Sequence, residues 1–192
     1  MMNVFADNIQ QYKDLPIKGC REIVFSNGGH LFACMFVNFI HVYNFYTAQN
    51  PVNYTFKAHS GMIRSITWLQ DDSGFVSSAL DSTIHMWRLN PKKDQSNPVW
   101  SFTYANVDFT CLRVFKYEGD KTPSVFATGQ DKSIRRIVNG EVENRFVQDV
   151  NLNQIEMFFN GRCFFTGVNE PNKPGSVQVV MYPFGRNNLF EI

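Results

Sequence analysis

Between Ile63 and Trp87 the chain alternates apolar and polar residues in three short bursts. Ile63 to Trp68 (IRSITW) runs into the polar stretch Gln70-Asp71-Asp72-Ser73-Gly74. Phe75 to Ala79 (FVSSA) runs into Asp81-Ser82, and a third burst ends at Trp87. A period of two over about five residues, bounded by Asp, Ser and Gly, predicts strands, and a helical period of about 3.6 does not fit. Three strands joined by polar turns form an antiparallel meander.

The meander recurs. Ile40, Ile84, Ile134 and Val177 occupy one position of the third strand, and Tyr43, Trp87, Ile137 and Val180 another, three residues on. The landmarks lie 44, 50 and 43 residues apart, close to the roughly 40–45 residues of a propeller blade. The preceding strands align as GHLFACM (29–35), GFVSSAL (74–80), SVFATGQ (124–130) and GRCFFTG (161–167). Before those come REIVFS (21–26), RSITWL (64–69), TCLRVF (110–115) and QIEMFF (154–159). Residues 58–89 resemble a WD-type repeat, with Ala58-His59 where that repeat has Gly-His and Trp87-Arg88 where it has Trp-Asp. The expected fold is all-β: a WD-repeat β-propeller of about four blades at 18–57, 58–105, 106–149 and 150–192. NPKKDQSNP (90–98) is expected as an exposed loop. NEPNKPG (169–175) is expected as a longer hairpin loop in the fourth blade, because Pro and Gly break strands.

Composition agrees. The chain has 192 residues, 15% aromatic, with 19 Phe, long enough for a sizeable core and suited to half-buried strands. A net charge of +1 announces neither nucleic acid nor an anionic membrane, and no apolar run reaches the roughly 20 residues of a membrane span. The N-terminal MMNVFADNIQQYKD has no basic or apolar signal-peptide region. Cys20, Cys34, Cys111 and Cys163 show no paired spacing and read as free thiols in a reducing compartment.

Chemistry is sparse. His59, Ser77 or Ser78, Asp81 and Trp87 match the residues that hydrogen-bond to one another in well-formed WD blades, so their expected role is structural: a buried carboxylate, imidazole and indole must satisfy one another. Blade three keeps Thr128-Gly129 and Asp131 but has Ile137 for Trp and Asn106-Val107 for Gly-His; blades one and four have lost more. His30, His41, His59 and His85 show no metal-ligand spacing. Gly28-Gly29 lacks the helix and Lys of a phosphate cradle, and Ser77-Ser78 lacks a nucleophile-elbow context. The expectation is therefore no catalytic residue, no cofactor and no metal. The basic doublets Lys92-Lys93 and Arg135-Arg136 read as solvated faces, with contact to an acidic surface such as tubulin as the other reading, and are too few to track phosphates. Function falls to the rim. The residue before each turn Asp (Leu80, Gln130) and those entering the first strand (Met62, Arg64) are the candidate contacts, since interfaces favour Met and Arg.

The runs Gly19-Cys20-Arg21-Glu22, Phe25 to Ala33 (FSNGGHLFA), Ile40-His41-Val42 and Ile63-Arg64-Ser65-Ile66, with Tyr182-Pro183 later, resemble the cilia- and flagella-associated protein 57 family. The resemblance implies a long axonemal protein with N-terminal WD propellers and a coiled-coil tail, of which this chain is part of the second propeller. It implies a non-enzymatic scaffold on the cytoplasmic, reducing side, in the axoneme of the cilium or flagellum. Its partners would be other axonemal proteins, among them inner dynein arm subunits and neighbouring regulatory complexes. The remaining blades of a seven-bladed ring are expected in the same or a companion chain, because an open apolar sheet face is a liability; a closed four-bladed propeller is the alternative. Asn3 to Phe5 and Leu189 to Ile192 read as strand segments. The alternative is a cytosolic WD adaptor, such as a ubiquitin-ligase substrate receptor or a trafficking-coat subunit.

Overall fold

The computed structural model describes residues 17–49, 54–89, 97–149, 151–158, 161, 163–168, 175–183 and 190–191. They form sixteen strands in four antiparallel sheets of four, each wound in sequence order as a meander, with no helix among them. Blade one holds β1 (Glu22–Phe25), β2 (Leu31–Met35), β3 (Ile40–Asn44) and β4 (Thr55–Phe56). Blade two holds β5 (Ile63–Trp68), β6 (Gly74–Ala79), β7 (Thr83–Arg88) and β8 (Trp100–Thr103). Blade three is β9 (Phe109–Phe115), β10 (Ser124–Gly129), β11 (Ser133–Val138) and β12 (Glu141–Val147). Blade four is β13 (Leu152–Met157), β14 (Cys163–Val168), β15 (Ser176–Met181) and β16 (Phe190–Glu191). This is part of a WD β-propeller. The sequence-predicted strands sit within about two residues of these bounds, and Phe190–Glu191 forms the fourth strand of its blade. The expected strand at Asn3 to Phe5 and most of both loops, at 90–96 and 169–174, lie outside the described residues.

Period-two alternation decides what packs between blades. In blade two, Phe75 is paired with Trp87 and Ser77 with His85, whereas Val76 is paired with Met86 and Ser78 with Ile84. Phe75 and Trp87 join the core shared with blade one, with Ile40, Val42 and Phe56; Val76, Ile84 and Met86 join Phe109, Leu112 and Val125 of blade three. On blade three's other face, Phe126 and Ile134 meet Leu152, Ile155 and Val180 of blade four. Blades two and three thus pack apolar residues on both faces of their sheets.

Polar bonds add register to these contacts. Trp68 Nε1 donates to the Val24 carbonyl at 3.1 Å, the Leu112 amide to Ser65 Oγ at 3.2 Å, and Thr110 Oγ1 to the Leu152 carbonyl at 2.9 Å. Arg113 grips Glu156 of blade four through Nε and Nη2 at 2.9 and 2.5 Å. The SNGG run has a comparable task. The Asn27 and Gly28 amides donate to Asp72 of blade two at 2.8 and 2.7 Å, and Asn27 Nδ2 reaches the Leu69 carbonyl at 2.7 Å. Partial burial opposes ionisation of Asp72, yet the amides of Gly28 and Asn27 hold its carboxyl below the usual range.

The innermost strands β1, β5, β9 and β13 line a shared central space. Pairing shifts register near the start of β5, β9 and β13, leaving Arg64, Thr110 and Asn153 unpaired at equivalent places. Such bulges re-aim a side chain, and all three residues line the central cavity of about 280 Å³.

Candidate functional site

Asp81 opens the turn between β6 and β7, in which Ser82 adopts a left-handed φ of 61°. Its Oδ1 accepts from the Thr83 amide at 3.1 Å and the Thr83 hydroxyl at 2.6 Å, an Asx-type turn. Its Oδ2 accepts the amides of Ser60 and Gly61 at 2.8 and 3.2 Å, pinning the loop that enters β5. Gly61 is required there, since a Cβ would stand 2.6 Å from the Asp81 nitrogen.

His59 bridges this turn to the core. Its Nε2 lies 2.7 Å from Ser77 Oγ, and its Nδ1 3.0 Å from Thr83 Oγ1 and 3.3 Å from Asp81 Oδ2. Trp87 Nε1 donates to Ser77 Oγ at 2.8 Å. One tautomer satisfies everything: Ser77 accepts the indole hydrogen and donates its own to Nε2, which leaves Nδ1–H to donate to Asp81 and Thr83. The ring is therefore neutral. Burial, reinforced by the neighbouring His85, pulls the His59 pKa down to about 4 against the pull of Asp81. Burial opposes ionisation of Asp81, but the hydrogen bonds from Thr83, Gly61 and Ser60 prevail and hold it at about 2.

The structure brings His59, Ser77, Asp81 and Trp87 together and leaves Ser78 out. Ser78 faces blade three, and its Oγ has no hydrogen-bond partner. It also joins two histidines that look unrelated in sequence. The rings of His59 and His85 lie 4.3 Å apart, with His85 Nδ1 on Ser101 Oγ at 2.9 Å. Among the described residues no group of three acidic, His or Cys side chains could hold a metal. The His59 and Asp81 side chains are 1% and 8% exposed, so no substrate reaches them. The arrangement ties a loop and a turn to a core tryptophan.

Blade three corrects the reading of Arg135-Arg136 as a solvated face. Arg135 is fully buried. It donates through Nη1 to Asp131 at 3.0 Å and also pairs with it through Nη2, and its guanidinium lies 4.4 Å over the Tyr104 ring. Arg145 binds the same carboxylate at 2.9 Å. Arg136 pairs with Glu143 at 2.7 Å and Asp120 at 3.6 Å and lies over Tyr182. The second doublet, Lys92-Lys93, lies outside the described residues. Arg135 holds the position of His85, Val107 that of His59, Ala127 that of Ser77 and Ile137 that of Trp87. Ala127 and Ile137 offer neither acceptor nor indole, and Arg135, with Arg145 and Ser133, satisfies the turn aspartate instead. Ser133 and Arg135, on one strand face directly after Asp131, both donate to its carboxylate, a grouping that register and burial bring about.

Cys20, Cys34 and Cys111 are free thiols, and Cys20 and Cys34 pack in one cluster with Phe32 and Phe36. Burial first, and then the adjacent Cys20, push the Cys34 pKa up to about 12.

The candidate rim residues divide. Leu80, 38% exposed, donates its amide to the Met62 carbonyl at 2.9 Å, so these two adjoin at the rim. Gln130 is exposed at the equivalent turn of blade three, its amide on the Asp108 carbonyl at 3.0 Å. Arg64 is exposed but lines the central cavity with Glu22 and Gln154.

The WD domain, G-beta repeat family matches residues 50–88, which contain this network. Cilia- and flagella-associated protein 57 A of Tetrahymena thermophila is 30% identical over 100% of the chain. This chain is a homologue of cilia- and flagella-associated protein 57. The mouse protein of that name is 31% identical and the Tetrahymena C protein 29%, each over 95% of the chain. The chain spans 17%, 14% and 15% of these three relatives' own lengths. The stretches that resemble cilia- and flagella-associated protein 57 have identifiable tasks here: Asn27-Gly28 clamps Asp72, and Arg21 donates to the Ile63 carbonyl at 3.1 Å.

Proposed function

We propose that this chain is part of a non-enzymatic protein-interaction scaffold of the ciliary axoneme, supporting the docking of inner dynein arms or a neighbouring regulatory complex in ciliary motility. One observation carries the non-enzymatic reading. The His59–Asp81 pair, the acid–base couple that most invites a catalytic role, is buried and consumed in holding blade two together. What faces solvent at that end is the rim at Met62, Leu80 and Gln130, with Arg64 inside the mouth, and these are the proposed contacts. The ciliary half rests on the similarity to cilia- and flagella-associated protein 57 over the whole chain. Ile23 and Phe25 of blade one are 50% and 53% exposed, whereas Ile66 and Trp68, their equivalents in blade two, are 5% each under blade one. A further blade of the longer protein covers that face in this reading.

The test is fractionation of axonemes from ciliated cells expressing tagged full-length protein. Retention through salt extraction, reduced by Leu80→Glu with Gln130→Glu, supports the scaffold. A soluble pool excluded from cilia would instead mark a generic cytosolic WD adaptor.

A further inference from the structure

At the opposite end from Leu80 and Gln130, where the first strand of each blade turns into the second, a groove of about 130 Å³ runs between blades two and three. Pro123 and the cations Arg88, Lys116 and Lys121 line it, with the buried Leu69 beneath. One carboxylate joins them, Asp71, and it is already committed: Ser73 donates to it through its hydroxyl at 2.6 Å and its amide at 3.1 Å. Arg88 is placed by a bond from Nη1 to Ser73 Oγ at 3.0 Å. Lys116 is placed by its own backbone, whose amide donates to Gln70 Oε1 across the blade boundary at 3.1 Å. Of the nearby acids, Asp120 is turned to Arg136 and Glu118 stands exposed. Among the described residues no carboxylate forms an ion pair with Lys116 or Lys121, although Arg113, Arg135, Arg136 and Arg145 all have one.

We propose that this groove docks an acidic peptide segment of a protein partner, its carboxylates on Lys116, Lys121 and Arg88 and its side-chain methylenes against Pro123. The argument is charge complementarity at a preformed concavity. Three exposed cations surround one satisfied anion, and the Pro123 ring beside them suits the aliphatic part of glutamate. Three cations on a chain of net charge +1 are too few to track a phosphate backbone, which favours peptide over nucleic acid.

The test is fluorescence anisotropy of labelled hexaglutamate and hexaglutamine peptides with the full-length protein. Hexaglutamate binds, hexaglutamine does not, and raising the salt from about 50 to 200 mM weakens the binding, as screened charge pairs require. The double change Lys116→Glu with Lys121→Glu lowers affinity by about tenfold or more, while Lys116→Arg with Lys121→Arg retains it. Leu80→Glu leaves it unchanged, so failure here is separable from failure of the rim. Unchanged affinity in the charge-reversed protein, equal binding of hexaglutamine, or tighter binding of a single-stranded oligonucleotide of the same charge would each overturn the proposal.

Discussion

Blades two and three solve the same problem with opposite chemistry. Each carries an aspartate at the turn between its second and third strands, Asp81 or Asp131, whose oxygens must be satisfied in a partly buried place. Blade two answers with uncharged partners: hydroxyls, amides and a neutral imidazole, ending on the Trp87 indole. Blade three answers with charge, one fully buried guanidinium stacked on Tyr104 and a second at the edge. A neutral network is lost in small pieces, because each removal orphans one hydrogen bond. A buried ion pair is lost all at once, because removing one partner leaves an uncompensated charge.

The largest expected effects test this asymmetry directly. Asp131→Ala destabilises by about 3–5 kcal/mol by stranding Arg135, and adding Arg135→Met recovers most of it. Trp87→Ala loses a similar 3–5 kcal/mol or so for a different reason, the cavity it opens beside Phe56 and Phe75, and no charge change rescues it. Chemical denaturation of the single and double variants decides. If Asp131→Ala is milder than Asp81→Ala, the comparison fails.

Asp81→Ala and His59→Ala come next, at about 1–3 kcal/mol each, since each orphans neutral partners only. Because both act through one network, the double variant should lose less than the sum, which a double-mutant cycle on melting curves will show.

Acid should separate the blades as well. The folded pKa of His59 is about 4, below the roughly 6.5 of an unfolded histidine. Its contribution is therefore complete above pH 6.5 and is lost as pH falls toward 4, on the order of 2 kcal/mol by pH 5. Blade three has no histidine between Phe109 and Val147, and Asp131, also held low with its own burial opposed by Arg135 and Ser133, loses its contribution only as pH falls through the ordinary carboxylate range and below it, under about pH 5. Hydrogen exchange at pH 7 and pH 5 should thus show β5–β7 loosening while β9–β11 hold. Equal loosening would sink the assignment to His59.

The smallest effect is the sharpest on assignment. Ser77→Ala should cost about 1 kcal/mol or more, because it strands His59 and Trp87. Ser78→Ala should be neutral or slightly stabilising, since its buried hydroxyl has no partner. Comparable losses from both would mean that the network does not discriminate the two serines.

By itself the sequence determined the strands and the four meanders, because period-two alternation, turn chemistry and a repeated spacing are local and leave marks on neighbouring positions; the residues of the blade-two network came from the resemblance of residues 58–89 to a WD repeat. It left Ser77 and Ser78 undivided, since which of two adjacent residues faces which blade depends on register across three strands. It read Arg135 as a surface charge, because a dipeptide of arginines carries no sign of the aspartate, tyrosine and phenylalanine that surround one of them and not the other. The meeting of His59 with His85, the contact of Cys20 with Cys34, the clamp of Asn27 on Asp72 and the cationic groove at Lys116 and Lys121 join residues from different strands or blades. Strand register within a blade decides the first two, and the stacking of one sheet on the next, set by side-chain volume and by the unpaired residues of β5, β9 and β13, decides the others.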